Sequence, residues 1–387
     1  MNRGLVDQIA NAVLYEGYLL YPYRASAVKN RQRWNFGAVY PEAFSAASGG
    51  TDACLIQTQC LVVGSERSRL DVRARFLHLL AREVFELIEE GGSRNEDGGW
   101  RIEDRRSTIA DSQDSLSSTL HPLSSILVPP SSALRLVESL EIGGERFQTW
   151  QEAVEREAST RELAMGELCA VPERTPFSFP ARHEAQPLRS SEGSLAGVLS
   201  RKQQGVRGEI EVSAERLDDQ LFKITARVLN GTAMHGEDIK SRDEGLMRAL
   251  VSTHTVLGVR EGEFVSLLDV PEDLRDSASA CVNVGTFPVL VGEPGERDLM
   301  LSSPIILYDY PRIAPESAGD LFDSTEIDEI LTLRILTLTD EEKREMRQVD
   351  DRARQILERT ETMPLEQLMK LHGVVRGLRP VSVPDES

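Results

Sequence analysis

GEIEVSAERL (208–217) and LFKITARVLN (221–230), joined by Asp218-Asp219-Gln220, decide the fold class. In the second run Leu221, Lys223, Thr225, Arg227 and Leu229 alternate with Phe222, Ile224, Ala226 and Val228. A period of two sends the two sets to opposite sides of an extended strand, so the pair predicts an antiparallel hairpin with the Phe222 side buried. Upstream, ACLIQTQCLVV (53–63) and RLDVRARFLHLL (69–80) read as two further strands around a polar turn, GSERS. Leu70, Val72, Ala74, Phe76 and His78 share one side of the second, with Arg69, Asp71, Arg73 and Arg75 on the other. That register favours His78 as a satisfied, half-buried histidine over a ligand.

The same reasoning extends to both ends. LRLVESLEI and ERFQTW flank Gly143-Gly144, a dipeptide that suits the positive-φ turn of a tight hairpin. CVNVGTFPVLVG (281–292) and LMLSSPIILYDY (299–310) form two more strands around EPGERD. WQEAVEREASTRELAMGEL (150–168) is rich in helix formers and predicts a helix. Residues 171–206 read as loop with one short strand at FSFPA, and 241–259 as a helix through about Ser252. Asp323-Ser-Thr-Glu326 and Thr339-Asp-Glu-Glu342 are capping boxes, in which the first side chain takes an orphan N–H and the glutamate reaches back. They start helices at about 324–338 and 340–360, and LEQLMKLHGVVRGL (365–378) adds a third. The expected fold is α+β, an antiparallel β-sandwich-like core with C-terminal helices. Residues 1–387 form a single composite domain, interrupted by a Ser-, Asp- and Pro-rich insertion at about 105–132, with a helical C-terminal segment at about 324–378.

Composition narrows the function classes. The chain has 387 residues, 40% of them apolar, enough for a sizeable core, and a net charge of −19. That charge repels nucleic acid and anionic membrane surfaces and favours a basic partner face. No apolar run is long enough for a membrane helix, so membrane insertion is not expected. The first residues lack the pattern of a signal peptide. Four scattered cysteines without a C-x-x-C suit a reducing compartment, and the expected location is cytoplasmic.

Chemical motifs are absent. Neither phosphate-loop pattern occurs, no G-x-S-x-G is present, and the six histidines are far apart with no H-x-x-x-H. No cofactor, metal ligand set or catalytic residue is assigned. What remains are two opposed charge stretches. Residues 20–34 carry Arg24, Lys29, Arg31 and Arg33 among Tyr23 and Trp34, without an acid. Between Arg312 and Arg334 stand six carboxylates without a Lys or Arg. Helix-start electrostatics accounts for Asp323, Glu326, Asp328 and Glu329, because carboxylates are stabilised near a helix N-terminus. It leaves Asp309, Glu316 and Asp320 without a local reason. Two readings stay open: the stretches pair within the chain, or they face a partner. On the second, Tyr23, Arg24, Lys29, Arg31, Arg33 and Trp34 form one partner-binding patch, and Asp309, Glu316, Asp320 and Asp323 the other. An alternative makes the 309–323 loop, with His254, a carboxylate site of a metal-handling protein or enzyme.

Several phrases carry a family likeness: LYEGYLLYPYRASAVKNRQRWNFG (14–37), FQTWQEAVERE (147–157), STHTVLGVREGEFVSLLD (252–269) and the long run from Asn283 to Arg347. They resemble bacterial proteins encoded beside actinobacterial-type NiFe-hydrogenase structural genes. The resemblance runs nearly end to end, with 91–135 and 171–205 least distinctive, and brings no active-site motif. It implies an association, by gene neighbourhood, with NiFe-hydrogenase assembly or function; the expectation that follows is a non-enzymatic accessory or protein-binding factor, partnered by a hydrogenase subunit or a maturation factor.

Overall fold

The structure is a computed structural model that describes residues 3–15, 37–89, 132–312, 335–349, 351–362 and 364. In chain order the elements are α1 (Arg3–Leu14), α2 (Glu42–Ala47), β1 (Leu55–Glu89), β2 (Ser132–Val137), β3 (Ser139–Ile142), β4 (Glu145–Gln148), β5 (Trp150–Ser159), β6 (Leu163–Ala164) and α3 (Met165–Ala170). There follow β7 (Glu173–Phe179), β8 (Arg182–Arg189), β9 (Leu195–Gln203), β10 (Val206–Arg216), β11 (Leu221–Asn230), α4 (Arg242–Met247), β12 (Val251–Phe264), α5 (Arg275–Ser279), β13 (Phe287–Leu290), β14 (Leu299–Ser303), α6 (Asp340–Val349) and α7 (Asp351–Thr362). The architecture is α+β, an antiparallel β-sandwich-like core with helices after it, as the alternation predicts. The chain divides into two compact units, 1–80 with 151–181 and 204–387, and 81–150 with 182–203. Most of the expected 105–132 insertion lies outside the described residues.

In the first unit the strands run β13-β14-β12-β1-β11-β10-β7. The 208–230 hairpin forms in the expected register, from Gly208 opposite Asn230 to Arg216 opposite Phe222. Phe222, Ile224, Ala226 and Val228 enter the interior with Ile210, Val212, Val72, Phe76 and Phe264. Full burial of each large apolar side chain stabilises by about 1.5–3 kcal/mol, so this face dominates the unit's stability. Phe76, Phe177 and Phe179 close one end with ring centroids 5.8–6.2 Å apart. Gly208 admits Phe177, since a Cβ there would run into that ring and stand 2.6 Å from the Leu229 carbonyl oxygen.

GSERS is not a turn. β1 continues through it for 35 residues, and its register with β12 shifts between Gly64 and Arg69. The buried Ser68 hydroxyl takes the Ser65 N–H at 2.9 Å and donates to the Glu261 carbonyl, replacing ladder bonds lost at this bulge.

The helix expected over 150–168 is mostly strand. β5 and β6 pair with β1, and only Met165–Ala170 is helical. Helix propensity is a local preference; here pairing overrides it. Glu155, Glu157 and Ser159 alternate outward against the more buried Val154, Arg156 and Ala158, with Ala158 in the core. Residues 171–206 hold β7, β8 and β9 rather than loop. The predicted 241–252 helix shortens to α4, whose Ser241 cap takes the Glu244 N–H at 3.3 Å, and gives way to β12 at Val251.

The outer side of this sheet is covered in patches. α1 lays Val6, Ile9, Ala10 and Val13 on Val256, Val289, Leu299 and Leu301. Leu274, Ala278 and Cys281 cover Leu61, Leu221 and Val265. At the C-terminus the Thr339 capping box is made in both directions: the Glu342 N–H reaches Thr339 Oγ1 at 3.3 Å, and the Thr339 N–H reaches Glu342 Oε2 at 2.8 Å. The Asp323 box and the 365–378 helix lie outside the described residues.

In the second unit, residues 81–89 of β1 pair with β9 and β2, and β8 pairs with β9. The β3–β4 hairpin turns at Gly143 (φ 62°) and Gly144 (φ 85°), as the Gly-Gly signal predicts. Its Leu140, Ile142 and Phe147 pack on Val84, Leu188 and Leu199.

Candidate functional site

Among the predicted site residues, Asp309 and His254 are described; Tyr23, Arg24, Lys29, Arg31, Arg33, Trp34, Glu316, Asp320 and Asp323 lie outside. Asp309 does have a structural reason. β13 ends the strand order of its sheet, and residues 304–312 follow its neighbour β14. Asp309 Oδ1 accepts the Leu290 N–H at 2.8 Å, and the Tyr310 N–H donates to the Leu290 carbonyl at 2.8 Å. The segment thus gives Leu290 the pairing that another strand would otherwise supply. Asp309 Oδ2 accepts from the Ser266 hydroxyl, which takes the Leu268 and Asp269 N–H groups at 3.1 and 2.8 Å. Both carboxylate oxygens are therefore engaged within the chain. A cation at Asp309 would compete with a backbone and a hydroxyl donor.

This anchoring has a consequence for the neighbours. Leu307 is buried beside α1's partners, and Asp309 and Tyr310 are tied to β13. Between and before them, Ile306 and Tyr308 stand 72% and 76% exposed. Phe287, at the start of β13, is 44% exposed. Beyond, Arg312 pairs with Glu293 at 3.2 Å. The segment presents an aliphatic and an aromatic side chain from a pinned backbone, a feature that charge-based reading passed over. Its signal in the sequence is the alternation Ile306-Leu307-Tyr308-Asp309, with alternate residues turned outward.

His254 is not joined to that segment by any described contact. It lies on β12 opposite Arg75 of β1, fully buried, with Nδ1 2.7 Å from the Ser252 carbonyl. A carbonyl only accepts, so Nδ1 carries the proton and Nε2 is the acceptor. Nε2 and the buried Ser252 hydroxyl have no hydrogen-bond partner among the described residues. Ser252 itself holds φ at 51°, a region that costs a non-glycine residue free energy. Burial, with the Arg75 charge adding to it against the Ser252 hydrogen bond, brings the His254 pKa down to about 4. Arg73 and Arg75 are flanked by carboxylates from two other elements: Asp7 of α1 at 3.1 Å from Arg73, Glu157 of β5 at 3.6 Å from Arg73, and Glu155 at 3.6 Å from Arg75.

Two other histidines have partners within the fold, and one cysteine is buried. His78 is fully buried rather than half-buried, with Nε2 2.8 Å from the Gln204 carbonyl oxygen. His183 Nε2 lies 2.9 Å from Ser200 Oγ, and Ser200 has no solvent exposure. Cys60 is buried, which pushes its thiol well above the ordinary range. Among the described residues no group of three or more His, Cys, Asp or Glu is placed to hold a metal ion, and no helix is long and apolar enough to cross a membrane.

Fold and geometry define an α+β protein with a sandwich-like core and an exposed, anchored edge segment. No protein-family model, curated protein or solved structure matches the chain.

Proposed function

We propose that this chain is a cytoplasmic, non-enzymatic protein-binding factor that serves NiFe-hydrogenase assembly or function, engaging a hydrogenase subunit or a maturation factor. The observation that carries the binding part is the pair Ile306 and Tyr308, 72% and 76% exposed on a backbone pinned at Leu307, Asp309 and Tyr310. An aromatic held in place contributes area to an interface at little cost in conformational entropy, which is why tyrosine is frequent among interface hot spots. The chain's net charge of −19 supports a partner face that is basic around an apolar centre. The hydrogenase assignment rests on the resemblance of the 14–37 and 283–347 phrases.

Affinity purification of the tagged full-length chain from a host with an intact hydrogenase locus tests both parts. The wild-type chain is expected to recover a hydrogenase subunit or maturation factor. The Ile306→Ser/Tyr308→Ser double variant is expected to recover at least roughly tenfold less, with an unchanged melting temperature, as hot-spot losses of 1.4 kcal/mol or more imply. Recovery by the wild type of neither class of protein sinks the hydrogenase reading. Equal recovery by the double variant sinks the segment.

A further inference from the structure

We propose that His254 makes the seating of α1 pH-dependent, so that acidification lifts this helix and uncovers the apolar strip of the sheet beneath it.

Placement is the first ground. Directly paired antiparallel residues share a face, so His254 projects on the side of Arg75. Arg75 donates to Asn11 of α1 and lies 3.9 Å from Asp7 of the same helix. Two residues along β12, Val256 packs against Val6, Ile9, Ala10 and Val13. The imidazole therefore sits on the face that α1 covers.

The second ground is the hydrogen-bond geometry. With Nδ1–H given to the Ser252 carbonyl, a further proton must go to Nε2. That would place a charged N–H in a buried position with no acceptor among the described residues. The charged groups nearest His254 on this face are Arg73 and Arg75 from β1, Asp7 from α1, and Glu155 and Glu157 from β5; Asp71 and Arg69 lie further along β1 opposite Gly258 and Arg260, and β14 (Leu299–Ser303) brings none. Asp7, Glu155 and Glu157 all lie against the two guanidiniums. The charge felt at His254 is that of Arg75, and its sign opposes protonation.

The third ground is which element gives way. α1 is a 12-residue helix, too short to be stable alone in water, and the strip under it is separate from the interior packing of β10 and β11. Opening α1 gives the imidazole to water without dismantling the core. The sign follows from linkage. The seated state binds the proton with a pKa of about 4 and the open state near the ordinary 6.5, so seating is strongest above pH 6.5 and weakens as pH falls towards 4. From well above pH 6.5 to pH 4 the open fraction rises roughly 150-fold from this one group.

Hydrogen exchange of the full chain, followed by mass spectrometry and corrected for intrinsic rates, tests the proposal. Between pH 7 and pH 4.5 the opening ratio of amides in residues 3–14 should rise roughly 50-fold, while residues 221–230 keep their protection. In His254→Gln most of that rise should vanish. Protonation of Asp7, Glu155 and Glu157 would act in both proteins, so an equal rise in the variant overturns the proposal. So does a pH-independent α1, or loss of protection in 221–230 together with α1. Should the variant fail to fold, the wild-type His254 ring decides by NMR titration. A midpoint near 4 supports the proposal, and one at or above about 6 overturns it.

Discussion

The two sides of the sheet in the first unit are built on opposite plans. The inner side is mainly apolar: Phe76, Phe222, Ile224 and Phe264 have no exposure, β1, β10, β11 and β12 all send residues into it, and its polar members, such as Thr58, Ser302 and His78, are hydrogen-bonded within the chain. The outer side is a mosaic. An apolar strip under α1 adjoins Arg73, Arg75 and His254, and a second strip lies under Leu274 and Ala278. The inner face has one continuous packing and tolerates no loss; the outer face is divided into pieces held by different forces. That division is what allows one piece to respond to conditions while the sheet stays intact.

Three substitutions break or sharpen this contrast. Phe222→Ala should have the largest effect, lowering the unfolding free energy by about 3–5 kcal/mol in a denaturant titration, since the cavity opens inside a packed core. Its loss should appear as one cooperative shift. Ile9→Ala removes an apolar group from under α1 and should cost about 2–3 kcal/mol at that helix. Hydrogen exchange should place the change in residues 3–14, with residues 221–230 nearly unaffected. If both regions lose protection equally, the outer strip is not separable from the core. Glu157→Gln should have the smallest effect, at most about 0.5 kcal/mol near pH 7, because the carboxylate is 44% exposed and its ion pairs with Arg73 and Arg75 are screened. A larger loss would show that the two arginines depend on this one acid.

The inner face was readable because its signal is periodic. Alternation in 221–230 specifies both strand and face, and the Gly143-Gly144 turn and the Thr339 capping box are equally local, so they appear where the residues indicate. The outer face was not. Glu155 and Glu157 read as helix formers until Arg73 and Arg75, some 80 positions upstream, give them partners across β strands. GSERS resembles a turn in every residue, yet Ser68 bonds to Glu261 and the strand runs on. Asp309 looked unexplained because its partners, Leu290 and Ser266, are 19 and 43 positions away. Nothing local marks Ile306 and Tyr308 as exposed, because exposure is a property of what surrounds a residue.

The sequence by itself determined the fold class, the 208–230 hairpin with its buried side, the Gly-Gly turn, the Thr339 cap and the charge. Each depends on the order of neighbouring residues or on simple composition, and on backbone geometry that acts over a few positions. Only the tertiary structure decided that 150–159 is a strand, that β1 is continuous, that Asp309 anchors an edge, and that His254 lies beside Arg75 under α1. The physical reason is the same in each case. These outcomes follow from pairings between distant segments, whose combined burial and hydrogen bonding outweigh local preferences of at most about 1 kcal/mol per residue for anything but proline.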